Sequence, residues 1–76
     1  MDLTALQRLF VMVCRRLDIP DEQTAISLSL LSDQELREAM DWVMEKLRAD
    51  EEPTDVEWLE KMTELNLKAI RRSRGK

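Results

Sequence analysis

Apolar residues recur along this chain at helical spacing in three long segments and one short one. Leu3, Leu6, Phe10, Val13 and Leu17 follow one another at heptad-like intervals, which predicts a first helix over 4–17. Leu9 and Cys14 widen that stripe, whereas Val11 and Met12 lie off it and Arg8 and Arg15 stand on the back of the helix. Asp18-Ile19-Pro20 interrupts the pattern. Asp18 or Ile19 is expected near a new N-cap and Pro20 in the first turn, with Asp21 and Glu22 at the positive end of the helix dipole. Ile26-Ser27-Leu28-Ser29-Leu30 alternates as a strand does. A lone strand has nothing to pair with, so a short helix over 20–28 is the better expectation.

The next two helices are marked more sharply. Ser32-Asp33-Gln34-Glu35 reads as a capping box, in which the serine hydroxyl accepts from the N3 amide and the glutamate reaches back. It opens a helix over 32–49 whose stripe is Leu36, Met40, Val43 and Leu47 with Ala39 alongside; Trp42 lies outside it. Asp50-Glu51-Glu52-Pro53 is an acidic linker, and Thr54-Asp55-Val56-Glu57 is a second capping box. The last helix is expected to end near residue 72, leaving 73–76 as a frayed basic tail on a single helical domain over 1–72.

That last helix carries two apolar stripes. Val56, Leu59, Leu67 and Ile70 share one side of a helical wheel; Trp58, Met62, Leu65 and Ala69 share nearly the opposite one. A helix packed on one small domain needs a single stripe. Either this helix lies centrally, between the first and third, or one stripe faces a partner. Tryptophan and methionine are enriched at interfaces, which favours Trp58, Met62, Leu65 and Ala69 as the outward stripe, with Trp42 as a second anchor. Arg8, Arg15, Arg71 and Arg72 are the expected charged rim. A two-fold homodimer is the commonest way to cover such a patch.

Composition narrows the fold class to all-α: a small helical bundle of three longer helices and one short one, expected as a dimer. Gly75 is the single glycine, both prolines lie at helix starts, and helix formers dominate. A chain of 76 residues buries only about 60% of its unfolded surface, and scaffolds this small draw on disulfides, metals, idealised packing or oligomerisation. One cysteine excludes an intrachain disulfide, and the lack of histidine removes the commonest zinc sites. No segment is apolar for long enough to span a bilayer. Met1-Asp2-Leu3-Thr4 is not a basic signal-peptide start, and a lone reduced thiol fits a cytoplasmic setting.

Candidate chemistry is sparse. There is no histidine, no tyrosine and no glycine-rich phosphate loop. Cys14 has no base to activate it; Arg15 and Arg16 could lower its pKa, but its place beside the core stripe suits a small buried hydrophobe. The acid pairs Glu35 with Glu38 and Asp41 with Glu45 are expected on a solvent face. A helical bundle builds a metal site from inward carboxylates and Glu-x-x-His, so no metal, cofactor or catalytic residue is assigned and the chain does not read as an enzyme.

Charge is unevenly placed. Residues 18–64 hold fifteen acids and four bases, a formal −11, whereas 68–76 hold five bases and no acid. The basic tail would neutralise phosphates. A helix-turn-helix comparison fails because the helix in the recognition position is rich in acids, namely Asp33, Glu35, Glu38, Asp41 and Glu45. A net charge of −4 is modest for a mimic of DNA. The expected function is a small non-enzymatic interaction module, an adaptor, inhibitor or regulator, that binds a partner protein through an apolar helix face. The alternative is a dimeric nucleic-acid-associated regulator using the C-terminal tail. In size and style the chain resembles small phage and bacterial regulators, with no motif carrying that likeness.

Overall fold

The computed structural model describes residues 3–75 and contains four helices: α1 (Ala5–Arg16), α2 (Asp21–Leu30), α3 (Asp33–Arg48) and α4 (Asp55–Arg74). Met1 and Asp2 of the N-terminal segment, and Lys76 of the expected basic tail, lie outside the described residues. No strand occurs among the described residues.

Both expected capping boxes are formed. Ser32 Oγ accepts from the Glu35 amide and the Glu35 carboxylate accepts from the Ser32 amide at 2.9 Å. Thr54 and Glu57 repeat the exchange at the start of α4. Thr4 and Gln7 make a third box at α1. Each cap satisfies amides that a helix start would otherwise leave without partners, a contribution of about 1 kcal/mol.

Helices α1 and α3 end in the same way, without glycine. Asp18 and Asp50 adopt left-handed backbone with φ of 58° and 60°. The amides of Asp18 and Ile19 then donate back to Arg15 and Cys14, and those of Asp50 and Glu51 to Leu47 and Lys46. These are Schellman motifs, with aspartate accepting a conformation in which glycine is commoner.

The sequence expectation for α2 was two residues short, since the helix runs through Leu30, and Pro20 stands at its N-cap with no side-chain hydrogen bond. Its buried residues are Thr24 and Ser27, while Ile26 is exposed. Ser27 Oγ donates to Asn66 Oδ1 at 3.1 Å. A small polar side chain thus sits where α2 meets α4, with its hydroxyl satisfied as burial requires. The last helix continues to Arg74, beyond its expected end, and the Gly75 amide caps it on the Arg71 carbonyl.

Helix α1 packs against α2 and α3, and α4 packs against the same two. α1 and α4 therefore lie across the bundle diagonal. They meet through Phe10, Cys14 and Trp58, all fully buried. The Trp58 ring is tilted against Phe10 at 5.3 Å between centroids, and its indole N–H donates to Cys14 Sγ at 3.3 Å. Leu36, Ala39, Leu65, Met62 and Ala69 complete the centre of the core.

This overturns the expected orientation of α4. Trp58, Met62, Leu65 and Ala69 are internal, not an interface, and the exposed stripe is the other one: Val56 and Leu67 open to solvent, Leu59 and Ile70 half-buried. The physical reason is continuity. The Trp58 stripe places an apolar side chain at every turn, whereas the Val56 stripe is broken by Thr63. A core needs the unbroken, larger face.

Candidate protein interaction surface

Of the residues expected to line an interface, Trp42 is only half available. It stacks on Trp58 at 6.0 Å between centroids, and Lys46 Nζ lies 5.2 Å from its ring centroid. Lys46 in turn binds Glu57 at 2.7 Å and Glu51 at 3.8 Å. The hydrogen bond to Glu57 raises the Lys46 ammonium above its ordinary pKa, and the same contact holds the Glu57 carboxyl below its own. Trp42 is therefore the base of an ion cluster joining α3 to α4, not a free apolar anchor.

The arginines divide. Arg72 is used inside the molecule: its guanidinium binds Glu35 at 2.6 Å and reaches Ser32 Oγ and the Leu30 carbonyl, both at 3.5 Å. Glu35 is 4% exposed, so the expectation that it faced solvent is corrected. Its position at N3 of the capping box turns it inward, against α4. Lys68 binds Glu38 at 3.1 Å. The basic tail is thus partly spent on α3, and Arg71 and Arg74 make no ion pair among the described residues. Arg8 and Arg15 are exposed on α1, as expected.

What the sequence reading missed is the seam between α1 and α3. Leu9 and Met12 on α1, and Met44 and Leu47 on α3, are each about half exposed or more, with Met12 reaching 64%. With Val13, Met40 and Val43 they form two adjoining clefts of about 300 and 640 Å³ that share Val13, Arg16 and Val43. The smaller cleft is walled almost wholly by carbon and sulfur. Single exposed apolar side chains are ordinary on a protein surface; a contiguous groove of them is not. The one legible signal was Met12, off the α1 stripe.

Arginines border this groove. Arg16 lines both clefts and binds Glu52 at 3.0 Å. Arg8 and Arg15 flank Met12 on the helix surface, and Arg37 and Arg48 stand one turn from Met40 and Met44 respectively. Arg48 binds Glu45 at 3.3 Å. The acids nearby are Asp41, Glu45, Asp50, Glu51 and Glu52, so the rim is mixed, five arginines among five acids.

Cys14 is buried and occupied by Trp58, and no group of three metal-ligating side chains occurs among the described residues. No helix among them is long and apolar enough to cross a membrane. No protein-family model, curated protein or solved structure matches the chain. The functional reading rests on its own residues.

Proposed function

We propose that this protein is a non-enzymatic protein–protein association module, and that its binding face is the apolar groove between α1 and α3. The observation that carries this is the methionine- and leucine-walled seam in which Leu9, Met12, Met44 and Leu47 stand open to solvent around a half-buried Met40, with Arg16 at its edge. Methionine is flexible and polarisable, so a methionine-rich groove adapts to an apolar helix. Arginine on the rim suits interfaces better than lysine, because its planar fork is less strongly hydrated and binds carboxylates through two contacts. An adaptor, inhibitor or regulator is the class of protein such a face serves.

The test is a paired substitution. Met12→Glu with Met44→Glu places carboxylates on two exposed side chains, so the helical circular dichroism and melting temperature should stay close to those of the parent. Association with proteins cross-linked to it in extract of its host should be lost. If the doubly substituted protein retains all the associations of the parent, the groove is not the binding face.

A further inference from the structure

The outer side of α4 also lacks a partner, and its charges are sorted along its length. Val56 and Leu67 are exposed, Leu59 and Ile70 half-buried, and the small Thr63 lies between the two pairs. The Thr63 hydroxyl already donates to the Leu59 carbonyl at 2.8 Å, so covering the middle of this face strands no donor. Most charged side chains of α4 are paired within the molecule: Glu57 with Lys46, Glu64 with Lys61, Lys68 with Glu38 and Arg72 with Glu35. Four exposed ones make no ion pair among the described residues: Asp55 and Glu60 in the first half of the helix, Arg71 and Arg74 in the second. Helix α2 runs beside α4 in the same direction, with Ser27 on Asn66 and the Leu30 carbonyl on Arg72, so its only charges, Asp21 and Glu22, fall at the acidic half. At the basic half the α3 carboxylates Glu35 and Glu38 are those already paired, and Asp33 is the one further exposed acid of the first turns of α3.

We infer that the outer side of α4 is where two copies of this chain meet, antiparallel about a two-fold axis. The occupant follows from the order of the charges. A helix acidic in one half and basic in the other matches an antiparallel copy of itself, whereas a parallel copy sets like charges side by side. With the axis midway between Thr63 and Leu67, Glu60 stands one residue step along the helix from Arg71 of the second copy, and Asp55 one step from Arg74; the symmetry makes each relation twice. Thr63 then faces Leu67 of the other copy, a small side chain against a large one, which suits the close approach of packed helices. Leu59 and Ile70 lie to the side of this line. Because the same surface of each copy meets, the contact closes at two copies. Exposed charge pairs of this kind steer the encounter and weaken with salt. The face is separate from the α1–α3 groove, since α1 and α4 lie across the bundle diagonal, so the dimer leaves both grooves open.

Charge reversal tests it by sedimentation velocity. One variant carries Arg71→Glu with Arg74→Glu, a second Asp55→Arg with Glu60→Arg, and a third all four changes, which keeps the parent's net charge. All four positions are exposed, and circular dichroism checks that the variants fold. The parent should pass from a 9.0 kDa monomer to a dimer and no further as concentration rises, more weakly at high salt. The first and second variants should each stay monomeric alone and form a one-to-one pair when mixed, and the third should dimerise as the parent does. A parent that stays monomeric at every concentration overturns the inference, as does one that grows past the dimer. So does a first or second variant that dimerises like the parent, a mixture that stays monomeric, or a third variant that fails to dimerise. Met12→Glu with Met44→Glu, which blocks the groove, should still give the parent's dimer; its loss would assign the self-contact to the groove and overturn the contact on α4. The groove reading fails separately, when that variant keeps every cross-linked host partner of the parent.

Discussion

Trp58→Glu should leave the chain unfolded at room temperature. Trp58 is fully buried on the bundle diagonal, packed between Phe10 and Trp42 with its N–H on Cys14. Removing a core tryptophan to alanine alone costs about 3–5 kcal/mol. A carboxylate in its place adds the desolvation penalty of a buried charge. A 76-residue domain has a total stability of about 4–11 kcal/mol on the usual per-residue scale, so the loss is of the same order as the whole. Far-ultraviolet circular dichroism should show the helical signal lost, with no cooperative melt. A helical, cooperatively melting Trp58→Glu monomer would mean that the Trp58 stripe faces outward after all.

The second large effect centres on Glu35. Its carboxylate closes the α3 capping box and anchors Arg72 of α4. Glu35→Ala removes both roles. The cap is worth about 1 kcal/mol. Breaking a fully buried ion pair costs about 3–5 kcal/mol, but the Arg72 side chain is 47% exposed, which lowers that share to about 1–2 kcal/mol. A total loss of about 2–3 kcal/mol follows, read as a fall in the urea midpoint with unchanged slope. Glu35→Gln should lose less, because its amide oxygen still accepts from Ser32. A Glu35→Ala protein as stable as the parent would show that the contact contributes nothing.

The same residue gives a pH dependence. Burial pushes the Glu35 carboxyl upward, but hydrogen bonds from Arg72 and Ser32 and the charge of Arg72 outweigh it and hold it below its ordinary value of 4.5. A carboxyl depressed in the folded state contributes stability that is complete above the unfolded value and is lost as pH falls through the folded one. Glu57, depressed by Lys46, acts in the same direction. Urea midpoints should therefore fall below about pH 4.5, and less steeply for Glu35→Gln, which has no proton to take up at that site.

Much of the fold could be read from local chemistry. The capping boxes at Ser32 and Thr54 placed the starts of α3 and α4 because two reciprocal hydrogen bonds need those residue types at that spacing. The end of α1 falls within a residue of its expected place, but Asp18 reads from sequence as the start of the next helix, because aspartate here takes the left-handed position at which glycine is the usual sign. Helix α2 was blurred because its inward residue at the α4 contact is Ser27, chosen for size and for Asn66, while Ile26 points out. The two stripes of α4 were visible, but which one faced inward was not judged correctly. Interface statistics for tryptophan argued one way; the unbroken run of Trp58, Met62, Leu65 and Ala69 argued the other, and burial of the larger continuous area prevailed. The groove was largely illegible because it belongs to neither helix alone. Leu47 belongs to the α3 stripe and Leu9 to the edge of the α1 stripe, yet both stay about half exposed at the seam between the two helices.

Methionine oxidation by peroxide tests the inward stripe of α4 and the placement of this groove most directly. Met12 and Met44 are exposed and Met62 is 2% exposed, and peroxide converts accessible methionine to sulfoxide. Met12 and Met44 should oxidise quickly while Met62 stays protected. Oxidation of Met62 as fast as that of Met12 and Met44 would contradict both the inward stripe of α4 and the open groove.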